Sequence, residues 1–192
     1  MGLISMRYKF IESEDCYDGS QLRSLFGYLD HGILGDSIIC WQGPCAIPFD
    51  KMVDGEDLLE RSKIEGSMML HFIIEKFHQP LFAGVTLQRL FSSLVKDVLI
   101  ESFGVHAQKL RREGDDVFYE NGKLSISIAT QSPMSTLIHF AANISNEGTP
   151  VKTSSLQDFN IPPKEFAEVL VKRFIEEING IEEATMKVKW VR

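Results

Sequence analysis

Residues 115–128 have the sequence Asp-Asp-Val-Phe-Tyr-Glu-Asn-Gly-Lys-Leu-Ser-Ile-Ser-Ile, and this stretch decides the fold. The pair Asn121-Gly122 separates two short runs in which apolar and polar residues alternate. Asn and Gly tolerate the positive φ angles of a tight turn, and a period of two is typical of strands with one buried face. The stretch therefore predicts a β-hairpin. In its second strand, Leu124, Ile126 and Ile128 are predicted to share one face.

Lys123 begins the second strand of this hairpin, and Asp115 and Asp116 lie on the partner strand. An ammonium group at the edge of a pocket can stabilise a carboxylate and a phosphate that are being joined. The other interpretation is a solvated lysine beside a surface turn, and the spacing alone leaves both open.

Further strands are predicted on both sides of the hairpin by alternating or continuous apolar runs. With the second hairpin strand included, they cover residues 7–12, 36–41, 68–77, 123–130, 136–144 and 183–191. Gly43-Pro44 is predicted to break the second strand, and residues 44–66 show the least regular pattern.

Three helices are predicted where apolar residues recur at spacings of three and four, over residues 20–31, 86–103 and 163–179. Thr86 is the expected N-cap of the second helix, Gly104 the expected glycine after its end, and Gly180 the expected end of the third. Hairpins together with long helices predict an α+β fold, with a mixed, largely antiparallel sheet packed with helices. We expect one domain over residues 1–192.

Composition excludes several classes of protein. The formal net charge of −7 over 192 residues is a poor match for nucleic acid or anionic membranes. No stretch approaches the roughly 18–20 apolar residues that span a bilayer, and Met1–Arg7 lacks the features of a signal peptide. The three cysteines are odd in number and include no C-x-x-C pair, so we expect no disulfide framework. We therefore expect a cytoplasmic location, where thiols stay reduced. The histidines lack zinc-type spacing, so no metal site is predicted.

Five other residues can carry chemistry. Gly66-Ser67 precedes a strand and can present backbone N–H groups to phosphate. His71 and His139 lie in apolar runs, where each is either a general base or ligand contact, or a hydrogen-bonded buried histidine. Cys45 is either an acyl-accepting nucleophile or an inert thiol.

Three segments resemble an uncharacterised conserved family of archaea and some bacteria. They are Tyr17-Asp18-Gly19-Ser20-Gln21-Leu22, the run from Gly35-Asp36-Ser37-Ile38 to Gly43-Pro44-Cys45, and Met69-Leu70-His71-Phe72. This resemblance implies no established activity.

A second resemblance is to the lipoate and biotin protein ligases, whose catalytic domain is itself class II synthetase-like. Asp115-Asp116-Val117 followed by Gly122-Lys123-Leu124-Ser125 is similar to the Asn-Asp-Ile/Val … Gly-Lys-Ile/Leu-x-Gly motif of these enzymes. Ala142-Asn143-Ile144 and Thr153-Ser154-Ser155-Leu156 are similar to segments that follow it. The resemblance implies a ligase-like fold, catalytic Lys123, ligand contacts at Asp116, Gly122 and Asn143, and ATP with Mg²⁺ as cofactors.

The sequence departs from these ligases where they carry an arginine- and glycine-rich loop that binds phosphate. The corresponding stretch here is Ile64-Glu65-Gly66-Ser67-Met68-Met69, with one glycine and no arginine. We predict an enzyme that activates or transfers a small carboxylic acid. The alternative is a non-catalytic relative that binds a small molecule or nucleotide as a sensor or scaffold. A third hypothesis is a homodimeric interaction protein in which Lys123 has no role.

Overall fold

The structure is a computed structural model that describes residues 5–147 and 151–191. Its strands are β1 (Arg7–Phe10), β2 (Ser37–Ala46), β3 (Glu65–Phe77), β4 (Leu110–Glu113), β5 (Asp116–Tyr119), β6 (Gly122–Lys123), β7 (Ser125–Gln131) and β8 (Ser135–Asn143). Its helices are α1 (Phe26–Leu29), α2 (Gly55–Glu60), α3 (Leu81–Glu101) and α4 (Pro163–Met186). The expectation about a signal peptide concerns the start of the chain, where residues 1–4 lie outside the described residues.

The main sheet has the strand order β1-β2-β3-β8-β7. β1 is parallel to β2, and the other three pairings are antiparallel. The predicted α+β fold with a mixed, largely antiparallel sheet is therefore confirmed. A smaller sheet of order β4-β5-β6 contains the predicted hairpin. Its turn lies one residue earlier than predicted, because Tyr119 pairs with Gly122, so Glu120 and Asn121 form the turn and Gly122 begins β6.

The two faces of the main sheet are covered differently. α3 and α4 pack on one face and bury the larger apolar cluster, which includes Phe72, Phe91 and Phe174. The opposite face carries a smaller cluster around Trp41 and Ile73, covered by α1 and irregular segments. Alternate residues of each strand serve the two faces. The second face, which lacks the long helices, is the one that holds the cavity described below.

The predicted helix over 20–31 is wrong, since only Phe26–Leu29 forms α1. Leu25 has a left-handed backbone with φ 66°, which interrupts a helix. Its N–H donates to both carboxylate oxygens of Glu75, each at 3.0 Å, and Glu75 is buried on β3. A long-range contact to a buried carboxylate therefore overrides the helical spacing.

Two boundaries also differ from prediction. β2 passes through Gly43-Pro44 to Ala46, with a bulge between Gly43 and Cys45. α3 begins at Leu81 because the Gln131 side chain accepts the Leu81 N–H at 2.9 Å. Thr86 is therefore inside the helix rather than its N-cap, and its hydroxyl donates to the Phe82 carbonyl. Gly104 lies just after the helix end, as predicted, with φ 69°.

The predicted strand over 183–191 is wrong, because α4 continues through Gly180 to Met186 and residues 187–191 form no strand. A glycine inside a helix costs only about 1 kcal/mol. Glu182, in the added turns, contacts Lys76 at 2.6 Å, so a tertiary ion pair stabilises the extension.

The predicted strand over 123–130 is divided between the two sheets. β6 belongs to the small sheet and β7 to the main sheet, and the chain crosses between them at Leu124. Leu124 is buried in the larger cluster, whereas Ile126 and Ile128 pack against the smaller one. The predicted common face is therefore wrong for Leu124, because the alternation restarts at the crossing.

Candidate functional site

A cavity of about 510 Å³ lies on the face of the main sheet that lacks the long helices. Its floor includes Met69 of β3, Ile126 and Ile128 of β7, and His139 and Asn143 of β8. Residues of the 47–65 segment form one wall, and the hairpin with Val151 and Thr153 lines another side. The cavity therefore joins parts of the chain that are distant in sequence.

Lys123 lines this cavity, and its backbone is fixed on both sides. Its N–H donates to the Lys152 carbonyl at 3.0 Å, and its own carbonyl accepts from the Ser154 N–H at 3.1 Å. The Asn143 side chain donates to the same Lys123 carbonyl at 2.9 Å. Asn143, on β8, thus positions the backbone of Lys123, so these two predicted residues are in direct contact.

Gly122 has a packing role next to Lys123. A Cβ atom at this position would lie 2.3 Å from Ser154 Oγ and 2.7 Å from the Thr153 carbonyl carbon. These distances are below any ordinary van der Waals contact, so only glycine lets β6 approach the 152–154 segment this closely.

Asp116 forms an ion pair with Lys123, with 2.8 Å between Oδ2 and Nζ. Burial raises the pKa of Asp116, and the hydrogen bond and charge of Lys123 oppose this effect without cancelling it. The neighbouring Asp115 accepts from Gln88 of α3 at 2.8 Å. The ammonium group is therefore held at the cavity by a carboxylate that is itself partly desolvated.

Acidic residues outnumber basic residues around the cavity. The carboxylates are Asp54, Glu56, Asp57, Glu60, Glu65, Asp115 and Asp116, and the ammonium groups are Lys51, Lys63 and Lys123. Burial raises the pKa of Asp57, with a further contribution from Asp54. Asp54 also caps α2 by accepting from the Glu56 and Asp57 N–H groups. In the described part of the chain, no three His, Cys, Asp or Glu side chains gather closely enough to hold a metal ion.

Four of the predicted ligand residues, Gly122 among them, do not line the cavity. Gly66 is buried in β3, where a Cβ would lie 2.8 Å from Met69 Sδ. Ser67 is exposed and donates to the Glu147 carbonyl at 2.6 Å. His71 is fully buried, with its ring bonded to Gly43 and His139. Contact of these four with a ligand stays a prediction, whereas Lys123, Asp116 and Asn143 line the cavity together.

Cys45 lies in β2 and is 2% exposed. Burial raises the pKa of its thiol to about 12. A thiol with so little thiolate at neutral pH is not a nucleophile, so the inert interpretation holds.

Two further residues line the cavity: His139, which the sequence marks as a candidate for chemistry, and Tyr17, to which the sequence assigns no role. Their rings stack with centroids 3.6 Å apart. One signal was available for His139, because it shares the alternation of β8 with Asn143 and therefore the same face of the sheet. Tyr17 lies outside any helix or named strand, and no local pattern marks it.

The sequence matches the family described as "Domain of unknown function (DUF366)" over residues 6–189. The chain belongs to this family. It is 38% identical to a protein of unknown function from Pyrococcus horikoshi whose solved structure superimposes with a TM-score of 0.92, covering 98% of this chain and 100% of that one. It is also 29% identical to an uncharacterised protein of Methanocaldococcus jannaschii, over 90% of this chain and 80% of the relative.

More distant solved structures share the fold of this DUF366 member. Biotin protein ligase from Aquifex aeolicus, in complex with biotin and ATP, has a TM-score of 0.60 at 14% identity, covering 92% of this chain and 72% of that one. A T. acidophilum protein with bound lipoic acid has a TM-score of 0.55 at 12% identity, covering 92% and 87%. The expected biotin and lipoate ligase-like fold is therefore confirmed. None of the helices described for this chain is long and apolar enough to cross a membrane.

Proposed function

We propose that this protein binds a small carboxylic acid in the Lys123 cavity and acts on its carboxyl group. The observation that carries the proposal is the position of Lys123, whose ammonium lines a cavity with an apolar floor while Asn143, Thr153 and Ser154 surround its backbone. A fixed ammonium beside apolar walls binds a carboxylate and stabilises negative charge that develops on a carbonyl oxygen.

The residues around the cavity do not fit ATP in the manner of the ligases. Where the sequence resemblance places their phosphate-binding loop, this chain forms β3, in which Gly66 pairs with Cys45 and Glu65 with Ala46. No arginine lines the cavity among the described residues, and its carboxylates outnumber its lysines. Paired backbone N–H groups and excess carboxylates disfavour a triphosphate.

This misfit favours transfer of an acyl group that arrives already activated. In such a reaction the acyl carbon forms a bond to the acceptor oxygen, nitrogen or sulfur, and its bond to the leaving group breaks. The acceptor loses a proton and the leaving group gains one. Lys123 would stabilise the oxyanion that forms between these events.

A second candidate function is binding without chemistry, as a sensor or scaffold. The same replacement of the loop by a strand favours it, since neither function needs a nucleotide. Both candidates require that an acid binds at Lys123.

A thermal-shift panel of small carboxylic acids tests the shared requirement. We expect at least one acid to raise the melting temperature of the wild-type protein. Asp116→Asn/Lys123→Met, which leaves no unpaired charge at the site, is expected to lose that shift. Lys109→Met is the matched control, because Lys109 pairs with Glu120 at 2.7 Å and does not line the cavity. A shift that persists in the double variant would contradict the proposal.

ATP–pyrophosphate exchange with the same acids separates activation from the other candidates. We expect no acid-dependent exchange. Exchange that depends on an acid and disappears in the double variant would contradict the stated misfit with ATP. It would favour an enzyme that activates the acid with ATP. Acyl transfer from thioesters of acids that bind then distinguishes a transferase from a binding protein.

A further inference from the structure

The end of the cavity away from Lys123 has two polar groups of its own. Tyr17 and His139 are each 1% exposed, and both line the cavity. The Tyr17 ring also stacks with the His71 ring, with centroids 5.4 Å apart, and the His71 ring stacks on Trp41 with centroids 5.0 Å apart. The rings are thus held in one packed group, and neither Tyr17 nor His139 can turn away from the cavity without disturbing it.

The hydrogen bonds of this group fix which nitrogen of His139 carries the proton. His71 Nε2 lies 3.1 Å from the Gly43 carbonyl oxygen, which only accepts, so Nε2 is the donor. Burial lowers the pKa of His71 to about 4 and that of His139 well below its ordinary value, so both rings are neutral. His71 Nδ1 is then an acceptor, and His139 Nε2, 3.1 Å away, donates to it. His139 Nδ1 is left as a bare acceptor.

In the described residues, His139 Nδ1 and the Tyr17 hydroxyl have no hydrogen-bond partner within the chain. Neither atom is sealed from solvent, so both keep access to the cavity. A polar group without a partner in a largely buried site is destabilising, and a bound group of matching chemistry removes that penalty.

The two polar ends of the cavity are separated along β8. Asn143, which contacts the Lys123 backbone, and His139 lie four residues apart on the same face of the strand, a span of about 13 Å. Ile126 pairs with Ala141 between them, and Met69 and Ile128 lie beside Asn143 and His139. The floor of the cavity is therefore polar at each end and apolar in the middle.

We propose that the ligand is a medium-chain carboxylic acid whose far end carries an amide-type group, with its N–H donated to His139 Nδ1 and its carbonyl accepting from the Tyr17 hydroxyl. The proposal rests on the proposed function in one respect, that Lys123 binds the carboxylate. Tyr17 and His139 act as the specificity-determining pair, because an alkyl end would leave both polar atoms unpaired.

Isothermal titration with matched probes tests this specificity. The probes are octanoate, 8-hydroxyoctanoate and the monoamide of octanedioate, with the six- and ten-carbon monoamides to bracket the length. We expect one monoamide to bind about tenfold more tightly than the alkyl acid of equal length. Equal affinity, a preference for octanoate, or a preference for the hydroxyl probe would overturn the proposal.

Tyr17→Phe removes only the hydroxyl and is expected to reduce the preference for the monoamide about fivefold or more. Tyr8→Phe, which removes a hydroxyl from the opposite face of the sheet, is the control and is expected to leave the preference unchanged. All acids could bind with similar affinity and bind more weakly to Asp116→Asn/Lys123→Met. In that case the proposed function stands and this inference fails. If no probe binds, or the double variant binds all of them like wild type, both fail.

Discussion

Gly122 shows how a single residue position determines the site. Its hydrogen side chain lets β6 contact the 153–154 backbone, and this contact fixes Lys123 at the cavity. We predict that Gly122→Ala lowers the free energy of unfolding by about 1–3 kcal/mol, because the added methyl group forces backbone atoms apart. Urea denaturation measures the change. Gly55→Ala is the matched control, since a Cβ there meets nothing within 4 Å. Equal stability of the two variants would show that the 153–154 segment moves to accommodate the added methyl group without loss of stability.

Two single residues, the buried histidines His71 and His139, predict that the free energy of unfolding depends on pH. Folding lowers the pKa of His71 to about 4 and that of His139 well below its ordinary value, chiefly through desolvation. Between the unfolded value of about 6.5 and these lower values, the unfolded chain binds more protons than the folded protein. The free energy of unfolding therefore falls as pH falls through this window, by up to about 2.7 kcal/mol per pH unit from the pair.

Urea denaturation at pH 7, 6 and 5 checks this dependence. His139→Gln is expected to remove about half of the slope that the pair contributes, since one titrating group is lost. A slope identical to that of the wild-type protein would mean that folding does not lower the pKa of His139. His139 would then not be desolvated in the way its burial implies.

At the scale of elements, the local sequence pattern predicted two kinds of element. One kind pairs with a segment close by in the sequence, and the other carries a long run of regularly spaced apolar residues. The hairpin, β3, β8 and most of α3 are of these kinds, because turn chemistry and periodicity suffice for them. The helix expected over 20–31 failed at Leu25 because its backbone follows Glu75, fifty residues away. No window of neighbouring residues contains that information.

The end of α4 depends on another long-range contact. Lys76 Nζ lies 2.5 Å from Asp36 Oδ2 and 2.6 Å from Glu182 Oε1, and its side chain is only 11% exposed. We predict that Lys76→Met lowers the free energy of unfolding by about 3 kcal/mol, because two partly buried carboxylates lose their counter-ion. Lys63→Met, whose partner Glu65 is 3.9 Å away at an exposed site, is expected to change it by less than about 0.5 kcal/mol. Similar losses in both variants would contradict the account of α4.

At the scale of the whole molecule, the cavity joins residues that no local window links. Lys123 was predictable as a candidate because a hairpin signal and a family resemblance meet there. Tyr17 was not, because its place beside His139 depends on a backbone bridge between Tyr17 and Cys45 and on the register of β8 against β3. A ligand contact at Gly66 and Ser67 stays a prediction, and the register of β3, which pairs Gly66 with Cys45, could not be read from the local sequence.

The acidic net charge of the chain is also concentrated at this site, where carboxylates outnumber lysines around the cavity. An acidic lining suits an acid only where an ammonium group is fixed among the carboxylates, which makes Lys123 the position on which the account depends.

A crystal structure of the protein soaked with the eight-carbon monoamide tests the central claim most directly. We predict a carboxylate oxygen within about 3 Å of Lys123 Nζ, the distance of a charge-assisted hydrogen bond, with the alkyl chain along Ile126 and Ile128. A carboxylate bound elsewhere, or a cavity without the acid at saturating concentration, would contradict it.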